Sequence, residues 1–240
     1  MRLDKFLADM GKGTRSQLKE AARKGRIRVN GEVVKKADQK IRIAEDTVEM
    51  DGVAVSYVTM EYYMLNKPQG VVSATEDRKY KTVIDLIEDK NRKDLFPVGR
   101  LDIDTEGLLL ITNDGALAHN LLSPKKHVDK IYYAVCDGHV EDDNIDRFAV
   151  GIELPDGLKC LPAKLEIIQR DTNEEGPYTE IYLTIREGKF HQVKRMMEAA
   201  GCPVRFLKRM TMGPLTLDPQ LKTGDYRSLT DSELELLFKL

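Results

Sequence analysis

Three charged side chains stand directly before an apolar segment in the sequence VGRLDIDTEGLLLITNDG, residues 98–115. Arg100, Asp102 and Asp104 alternate with apolar residues, so an extended backbone would place all three charges on one face. A carboxylate beside buried apolar residues is costly unless it has a partner or a function. Two such carboxylates could form the acid–base pair of a glycoside hydrolase. Asp102 is therefore a candidate catalytic residue, and capping of a local turn is the alternative.

Asp104 begins the sequence Asp-Thr-Glu-Gly, which is typical of a turn. We expect Asp104 to cap this turn or to pair with Arg100, and not to take part in chemistry. The apolar residues LLLIT that follow predict a buried strand. This strand would fix the preceding charged segment against the core.

The rest of the larger part of the chain is predicted to combine strands with short helices. The predicted strands are YYMLN and VVSA on either side of a KPQG turn, then LLLIT, KIYYAVCDG, AKLEIIQRD and YTEIYLTIREG. The predicted helices are TVIDLIED, ALAHNLL, residues 141–150, KFHQVKRMMEAAG and a C-terminal helix capped by Thr230 and Glu233. Strands outnumber helices and many join through short turns, so we expect an α+β fold with a mixed, largely antiparallel sheet flanked by helices.

The first 42 residues are strongly basic, with 13 Lys/Arg against five Asp/Glu, although the whole chain has a net charge of −2. Thr14 and Gln17 have the spacing of a capping box, which predicts a helix that begins there. Along this helix Arg15, Lys19 and Arg23 recur every fourth residue and form a positive stripe. The stripe alone could be a solvated helix face, but a polyanion is the natural partner of so basic a segment.

The sequence RIRVNGEVV predicts two short strands around Asn30 and Gly31, which are typical of a type I′ hairpin. Its basic residues favour phosphate binding over a solvated face. The segments RLDKFLA, TRS and GRIRVNGEVV resemble the S4 RNA-binding domain over about residues 1–48. That family binds structured RNA through its second helix and the loop that follows. The resemblance implies RNA contacts by the basic residues Arg15, Lys19, Arg23 and Arg26.

Composition excludes several classes of protein. Hydrophobic residues make up 41% of the 240, enough for a core, and no segment approaches the roughly 18 apolar residues of a membrane span. The three cysteines, Cys136, Cys160 and Cys202, are far apart and predict reduced buried thiols. No His stands at a metal-ligand spacing from a Cys. We therefore expect a cytoplasmic protein without a metal site or membrane contact and, because no heptad pattern is present, a monomer.

GRLDIDTEGLLLITNDG resembles the active-site motif of RNA pseudouridine synthases of the RsuA type. LNKPQGVVS is similar to that family's first motif, KIYYAV to its tyrosine motif, and EGKFHQVKRM to its basic motif. The resemblance implies an S4-like RNA-binding domain with a tether at residues 1–58 and a pseudouridine synthase catalytic domain at residues 59–240. It also implies that a uridine within RNA is isomerised to pseudouridine without a cofactor.

The resemblance assigns three catalytic positions. Asp102 corresponds to the family's catalytic aspartate, Tyr132 to the tyrosine placed against the target base, and Lys194 to the basic residue that pairs with the aspartate. Tyr133 would face the opposite side of the same strand, so only one of the two rings can enter a pocket. Asp102 would act either by covalent attack or as a base on the sugar 2′ carbon, and both routes stay open.

Further residues are expected to contact RNA or to support the site. They are Arg100 in the catalytic motif, Lys67 in the first motif with Pro68, and Arg195 in the basic motif, for which an RNA phosphate and a salt bridge are alternatives. His191 is expected to be a structural hydrogen-bonding residue. Phe190, Val193 and Met197 are expected to form the apolar stripe of the helix that carries Lys194.

The sequence thus indicates an isomerase that converts a specific uridine of 16S small-subunit ribosomal RNA to pseudouridine. The segments GRLDIDTEGL and MRLDKFLA are most similar to the small-subunit enzymes of the family. A 23S large-subunit enzyme and a non-catalytic RNA-binding factor are the alternatives. The partner would be ribosomal RNA, either free or within a ribosomal assembly intermediate, and RNA shape would decide which uridine is modified.

Overall fold

Residues 1–240, apart from the side chain of Pro124, are described by the structure, a computed structural model. The chain divides into two units, Met1–Glu61 with Glu88–Leu95, and Tyr62–Ile87 with Phe96–Leu240. The smaller unit therefore includes a short segment from the middle of the chain. In the described part of the chain, no helix has the length and apolar character needed to cross a bilayer.

The smaller unit packs two helices against a four-stranded antiparallel sheet in the order β2-β1-β3-β4. Its elements are α1 (Leu3–Asp9), α2 (Arg15–Arg23), β1 (Ile27–Val29), β2 (Glu32–Val33), β3 (Val48–Met50) and β4 (Val53–Val55). The predicted capping box is confirmed, since Thr14 Oγ1 accepts from Gln17 N and Gln17 Oε1 accepts from Thr14 N. The hairpin is confirmed as well, because Asn30 and Gly31 have φ values of 52° and 80°, as a type I′ turn requires.

A buried arginine explains why residues 88–95 belong to the smaller unit. Arg92 donates to both carboxylate oxygens of Asp94, at 2.8 and 2.5 Å, and to the Tyr57 hydroxyl at 3.1 Å. The Glu61 carboxylate accepts from the backbone amides of Asn91 and Arg92 at 3.1 and 2.8 Å. The bond to Asp94 raises the pKa of Arg92, so the buried guanidinium stays charged and paired.

The larger unit is built on a nine-stranded sheet whose main order is β13-β5-β7-β11-β8-β10-β9. Its strands are β5 (Tyr62–Lys67), β6 (Phe96–Pro97), β7 (Glu106–Thr112), β8 (Lys130–Asp137), β9 (Lys164–Asn173), β10 (Gly176–Ile185), β11 (Val204–Met212), β12 (Leu215–Thr216) and β13 (Tyr226–Ser228). Only the β7–β11 pair is parallel among the described strand pairs. The prediction of an α+β fold with a mixed, largely antiparallel sheet is confirmed.

Four α-helices accompany this sheet. They are α3 (Gly115–Leu122), α4 (Asp143–Ala149), α5 (Gln192–Ala199) and α6 (Asp231–Phe238), and a short 3₁₀ turn spans Pro124–Lys126. The predicted C-terminal capping box is present, because Thr230 Oγ1 accepts from Glu233 N at 3.3 Å. The three cysteines are buried and free, which confirms the expectation of reduced thiols.

The contact between β7 and β11 requires a glycine. Gly107 has φ 104°, and a Cβ at this position would lie 2.3 Å from the Arg209 backbone oxygen. A side chain would therefore collide with backbone and not with a flexible group. Because β7 follows directly on the segment that contains Asp102, this close strand contact fixes one end of that segment.

Two predicted elements are absent. Residues 82–89, TVIDLIED, do not form a helix. Asp85 Oδ2 instead accepts from Thr82 N and Oγ1 at 2.8 and 2.9 Å, and this local side-chain bonding competes with helix formation. The second strand after the KPQG turn is reduced to a single bridge between Val72 and Thr82. Strand β11 was not predicted, although it occupies the centre of the sheet.

Candidate active site

A buried lysine, Lys67, forms hydrogen bonds with the backbone of the segment that contains Asp102. Lys67 Nζ donates to the backbone carbonyl oxygens of Pro68, Asp102 and Thr105 at 3.0 Å, and the carbonyl oxygen of Ile103 is a more distant neighbour at 3.4 Å. Burial lowers the pKa of Lys67 to about 8. The ammonium group thus replaces the backbone partners that this irregular segment lacks.

This arrangement corrects one sequence-based assignment. Lys67 was grouped with the residues expected to contact RNA, but its side chain has 0% exposure and faces the protein interior. It cannot reach a phosphate because its donors are already bonded to backbone carbonyls. The part of the prediction that gave the first motif a supporting role agrees with this geometry.

Two further contacts fix the same segment. Ser73 Oγ donates to Leu101 O at 2.8 Å and accepts from Leu101 N at 3.0 Å. Gly70 N donates to Ile103 O at 2.8 Å. The residues after β5 therefore bind both edges of the segment before β7. Sequence analysis missed Ser73, and its only signal was its place in the LNKPQGVVS motif.

The Asp102 carboxylate faces two basic side chains. Its Oδ2 lies 3.4 Å from Lys194 Nζ, and its Oδ1 lies 3.5 Å from His191 Nε2. Asp102 and Lys194 are both about a quarter exposed, so neither charge is fully desolvated. The structure thus brings Asp102 and Lys194 together, although they lie more than ninety positions apart in the sequence. The resemblance of the two motifs implied this pairing.

Asp104 does not cap the turn, and that expectation was wrong. Its Oδ1 accepts from Lys194 Nζ at 2.6 Å, which is closer than the contact between Lys194 and Asp102. This hydrogen bond holds the pKa of the Asp104 carboxyl below its usual value. The turn is closed instead by the backbone, since Thr105 N donates to Asp102 O at 3.1 Å. Lys194 therefore bridges two carboxylates.

Tyr132 and Tyr133 face opposite sides of β8. Tyr132 is 7% exposed and lies opposite Arg209 of β11 and Leu183 of β10. Tyr133 points to the other side, where its hydroxyl donates to Glu180 Oε2 at 2.7 Å. Burial and this contact raise the pKa of Tyr133. Only Tyr132 shares a side of the sheet with the Asp102 segment.

A cavity lies between Asp102 and Tyr132. Its lining includes Arg100, Asp102, Thr105, Tyr132, His191 and Leu207. Arg100 is exposed at its rim. The Thr105 hydroxyl is buried and has no hydrogen-bond partner within the described structure. The cavity therefore combines one carboxylate and one aromatic ring with cationic groups at its edge.

The helix that carries Lys194 begins one residue after His191. His191 has φ 47° and ψ 35°, so it adopts the left-handed conformation and lies outside α5. Phe190 was expected on the apolar stripe of this helix, and that was wrong, because it is 74% exposed. The buried apolar residues of α5 are Val193, Met196 and Met197.

The remaining predicted RNA contacts differ in their surroundings. Arg195 forms an ion pair with Asp156, which is the salt-bridge alternative, and its contact with an RNA phosphate stays a prediction. In the smaller unit Arg26 pairs with Asp51 at 2.6 Å, and both side chains stay about half exposed. The three residues of the positive stripe on α2 are exposed and make no ion pair within the described part of the chain: Arg15, Lys19 and Arg23.

Comparison with known proteins identifies the family. A profile described as RNA pseudouridylate synthase matches residues 61–199, and one described as S4 domain matches residues 1–48. The chain belongs to the RNA pseudouridylate synthase family. It is 48% identical to the RNA pseudouridine synthase YtzG of Bacillus subtilis, over 99% of this chain and 98% of that protein.

Other family members match over a similar length. The ribosomal small subunit pseudouridine synthase A of Haemophilus influenzae is 40% identical over 100% of both chains, and that of Escherichia coli K12 is 39% identical over 98% of both. A crystal structure of a pseudouridylate synthase is 39% identical, covers 99% of both chains and has a TM-score of 0.68. The S4-like segment and the catalytic fold expected from the motifs are thus confirmed together.

Membership of the RNA pseudouridylate synthase family defines what the site must do. A base must leave its stack in RNA, and flipping of this kind costs a few kcal/mol. Cations at the rim can bind phosphates, and an aromatic ring in the cavity can stack on the base, which contributes about 1–3 kcal/mol. The cavity between Asp102 and Tyr132 offers both kinds of group.

Proposed function

We propose that this pseudouridine synthase isomerises a specific uridine of 16S small-subunit ribosomal RNA, with Asp102 as its catalytic carboxylate. The observation that carries the proposal is the position of Asp102, at a cavity that also contains Tyr132 and within 3.4 Å of Lys194. The names of the full-length relatives from Haemophilus and Escherichia coli support small-subunit RNA as the substrate.

The reaction rearranges one bond within the nucleotide. The C1′–N1 bond breaks, the uracil turns over, and C1′ bonds to C5, which loses its proton while N1 gains one. Asp102 either attacks the nucleotide covalently or removes the 2′ proton of the sugar, and each route needs an ionised carboxylate. The Lys194 ammonium lies 3.4 Å from Asp102 Oδ2 and serves as the charge partner of that carboxylate. Lys194 also prevents an unpaired charge when RNA closes over the site.

Tyr132 and Arg100 hold the substrate in this proposal. The Tyr132 ring is buried in the wall of the cavity, where it can cover one face of the extruded uracil. Arg100 is exposed at the rim, where it can bind a phosphate of the same strand. His191 lies on the other side of the Asp102 carboxylate and helps to orient it.

The two parts of the chain have separate tasks. Residues 1–58 bind structured ribosomal RNA through the exposed stripe Arg15, Lys19 and Arg23, while residues 59–240 carry the chemistry. The protein works as a monomer in the cytoplasm, where ribosomal RNA is available. Its RNA is either free or part of a ribosomal assembly intermediate, and the experiment below compares the two.

Mapping of pseudouridine in ribosomal RNA tests this function. Cells that lack this gene are expected to lose one pseudouridine in small-subunit RNA, and the wild-type gene should restore it. Asp102→Asn should not restore it, although the variant should still bind RNA. Loss of a large-subunit site instead would refute the small-subunit assignment, and product formed by Asp102→Asn would refute the role of Asp102.

The form of the substrate is tested with purified protein. Tritium at C5 of uridine is released when C5 bonds to the sugar, so release from [5-³H]uridine-labelled RNA reports turnover. The enzyme is offered naked small-subunit transcript and partly assembled small subunits in parallel. The RNA with the higher kcat/KM identifies the preferred form, and release from neither would contradict the proposed substrate.

A further inference from the structure

Phe190 is an exposed aromatic residue beside the cavity, and the family motifs assign no role to it. Phe190 is 74% exposed, more than any other aromatic residue in the described part of the chain. It directly precedes His191, whose Nε2 lies 3.5 Å from Asp102 Oδ1. A phenyl ring exposed to this extent is unfavourable because apolar surface in water costs free energy. Its place next to the catalytic carboxylate calls for an explanation in function.

The backbone holds Phe190 in a defined position. His191 has φ 47°, and this left-handed residue turns the chain between Gly188 and the first turn of α5. As a result the rings of Phe190 and His191 stack, with centroids 3.8 Å apart and planes at 19°. Consecutive side chains on a strand point to opposite faces, so this stacking requires the bend. One face of the phenyl ring is covered by His191, and the ring remains open to solvent elsewhere.

We propose that Phe190 is a stacking residue for a nucleobase that flanks the target uridine. Extrusion of one nucleotide exposes a face of its neighbour in the RNA strand, and the open side of Phe190 can cover that face. The inference rests on the proposed function, because it needs an RNA substrate whose uridine leaves its stack. Phe190 is then a positioning residue, distinct from Tyr132, which lies inside the cavity.

The surroundings of Phe190 favour a nucleobase over an apolar protein partner. Basic groups lie near the same rim, namely Arg100 and Lys189 in the cavity lining and Lys194 on α5, which contacts the carboxylates of Asp102 and Asp104. A single aromatic ring among cations is typical of single-stranded nucleic-acid sites, in which basic groups bind the backbone and rings stack on bases. The cores of protein interfaces are instead depleted of charge.

Three substitutions at one position separate stacking from packing. Phe190→Ala is expected to lower kcat/KM for the tritium-labelled small-subunit transcript by about 5- to 150-fold, the range of one lost base stack. Phe190→Trp should retain activity because its ring is larger. Phe190→Leu keeps apolar volume without a ring face and should be nearly as defective as Ala. Recovery by Leu would show a packing role and overturn the proposal.

Phe238 provides a matched control. It is 60% exposed at the end of α6 and packs edge to face against Tyr62 at a centroid distance of 6.0 Å. Phe238→Ala removes the same ring from another exposed position and should leave kcat/KM within about twofold of wild type. An equal loss in the two alanine variants would show that exposed rings matter only through solubility or stability, which would also overturn the proposal.

A binding measurement keeps this proposal separate from the proposed function. Dissociation constants for the same transcript are measured for Asp102→Asn with and without Phe190→Ala, because the first change removes turnover. Weaker binding of the double variant, restored by Trp but not by Leu, supports stacking. Equal binding overturns it, whether or not the wild-type protein turns the RNA over. A wild-type protein that binds tightly without tritium release would refute only the proposed reaction.

Discussion

Replacement of Lys67 by Met tests whether a buried ammonium group organises the segment that contains Asp102. Met has a similar length but no donor, so the carbonyl oxygens of Pro68, Asp102 and Thr105 would each lose a hydrogen bond of 3.0 Å. Bonds from a charged donor contribute about 1.5–3 kcal/mol each. The segment that presents Asp102 would be free to move, and a displacement of about 1 Å can lower the rate about 100-fold.

Burial of the Lys67 ammonium itself costs free energy. Lys67→Met removes this cost, which offsets part of the stability lost with the three hydrogen bonds. A pKa lowered from 10.5 to about 8 corresponds to roughly 3 kcal/mol at neutral pH. Three bonds outweigh that cost, and we expect Lys67→Met to lower the free energy of unfolding by about 1.5–6 kcal/mol. Urea unfolding followed by circular dichroism at pH 7 measures this change. An unchanged urea midpoint would refute the assigned role of the ammonium group.

The same variant has an expected pH dependence. The pKa of Lys67 is lower in the folded state than in the unfolded chain, so between about pH 8 and 10.5 the unfolded state binds more protons. As pH rises through that window, the free energy of unfolding of the wild type therefore increases by up to about 3 kcal/mol relative to that of Lys67→Met. A stability difference that is constant from pH 7 to pH 10.5 would contradict the lowered pKa.

Lys194→Met is the matched control for this prediction. Lys194 is partly exposed and contacts carboxylates, not backbone carbonyls. An ion pair with that exposure contributes about 0–1 kcal/mol, so the urea midpoint should change little. Turnover should nevertheless be lost, because Asp102 loses its nearest ammonium group. A Lys194→Met variant as unstable as Lys67→Met would show that the assay does not separate the two roles.

Three further predictions follow from the same contacts. Asp104→Asn should cost less than about 1 kcal/mol at pH 7, because the carboxylate is exposed, and urea unfolding should show a smaller cost as pH falls below the ordinary range of a carboxyl group, since a group whose pKa is lowered loses its contribution as pH falls through that pKa. Combined Arg15→Glu and Lys19→Glu should weaken RNA binding and reduce the slope of log Kd against log salt by about two in filter-binding titrations, and an unchanged slope would mean a solvated helix face. Gly107→Ala should abolish soluble expression or lower Tm by about 10 °C or more, because its Cβ would meet a backbone oxygen at 2.3 Å, and a wild-type Tm would contradict that contact.

Local features of this fold could be predicted from the sequence because their causes are local. The capping boxes at Thr14 and Thr230 and the hairpin at Asn30-Gly31 each depend on residues within four positions of one another. Motif order placed Asp102 on the segment before a buried strand. Strand β11 was missed because its parallel pairing with β7 joins residues about a hundred positions apart, which no periodicity reports.

The errors at the site have a related cause. Asp104 was assigned to its own turn, but its partner Lys194 lies on α5, ninety residues away. Phe190 was assigned to the helix because its spacing fits the apolar stripe. The next residue, His191, adopts φ 47°, so the helix begins after it and does not include Phe190. The left-handed Asn30 could be predicted because Asn-Gly is typical of a type I′ turn, whereas a single left-handed His outside such a pair has a much weaker signal. Charge pairs between distant residues and a single left-handed residue such as His191 could therefore be identified only in the structure.

Lysine illustrates why residue type alone does not assign a role. Lys19 is exposed on a positive stripe, Lys67 is enclosed by backbone carbonyls, and Lys194 bridges two carboxylates. The sequence placed the first two together as RNA contacts, although burial lowers the pKa of Lys67 to about 8 and removes it from solvent. The acceptor differs in each proposed or observed role: a phosphate needs an exposed charge, backbone carbonyls need a buried donor, and the proposed catalytic carboxylate shares its cation with Asp104. In this protein the third arrangement depends on the second, because Lys67 holds the backbone from which Asp102 reaches Lys194.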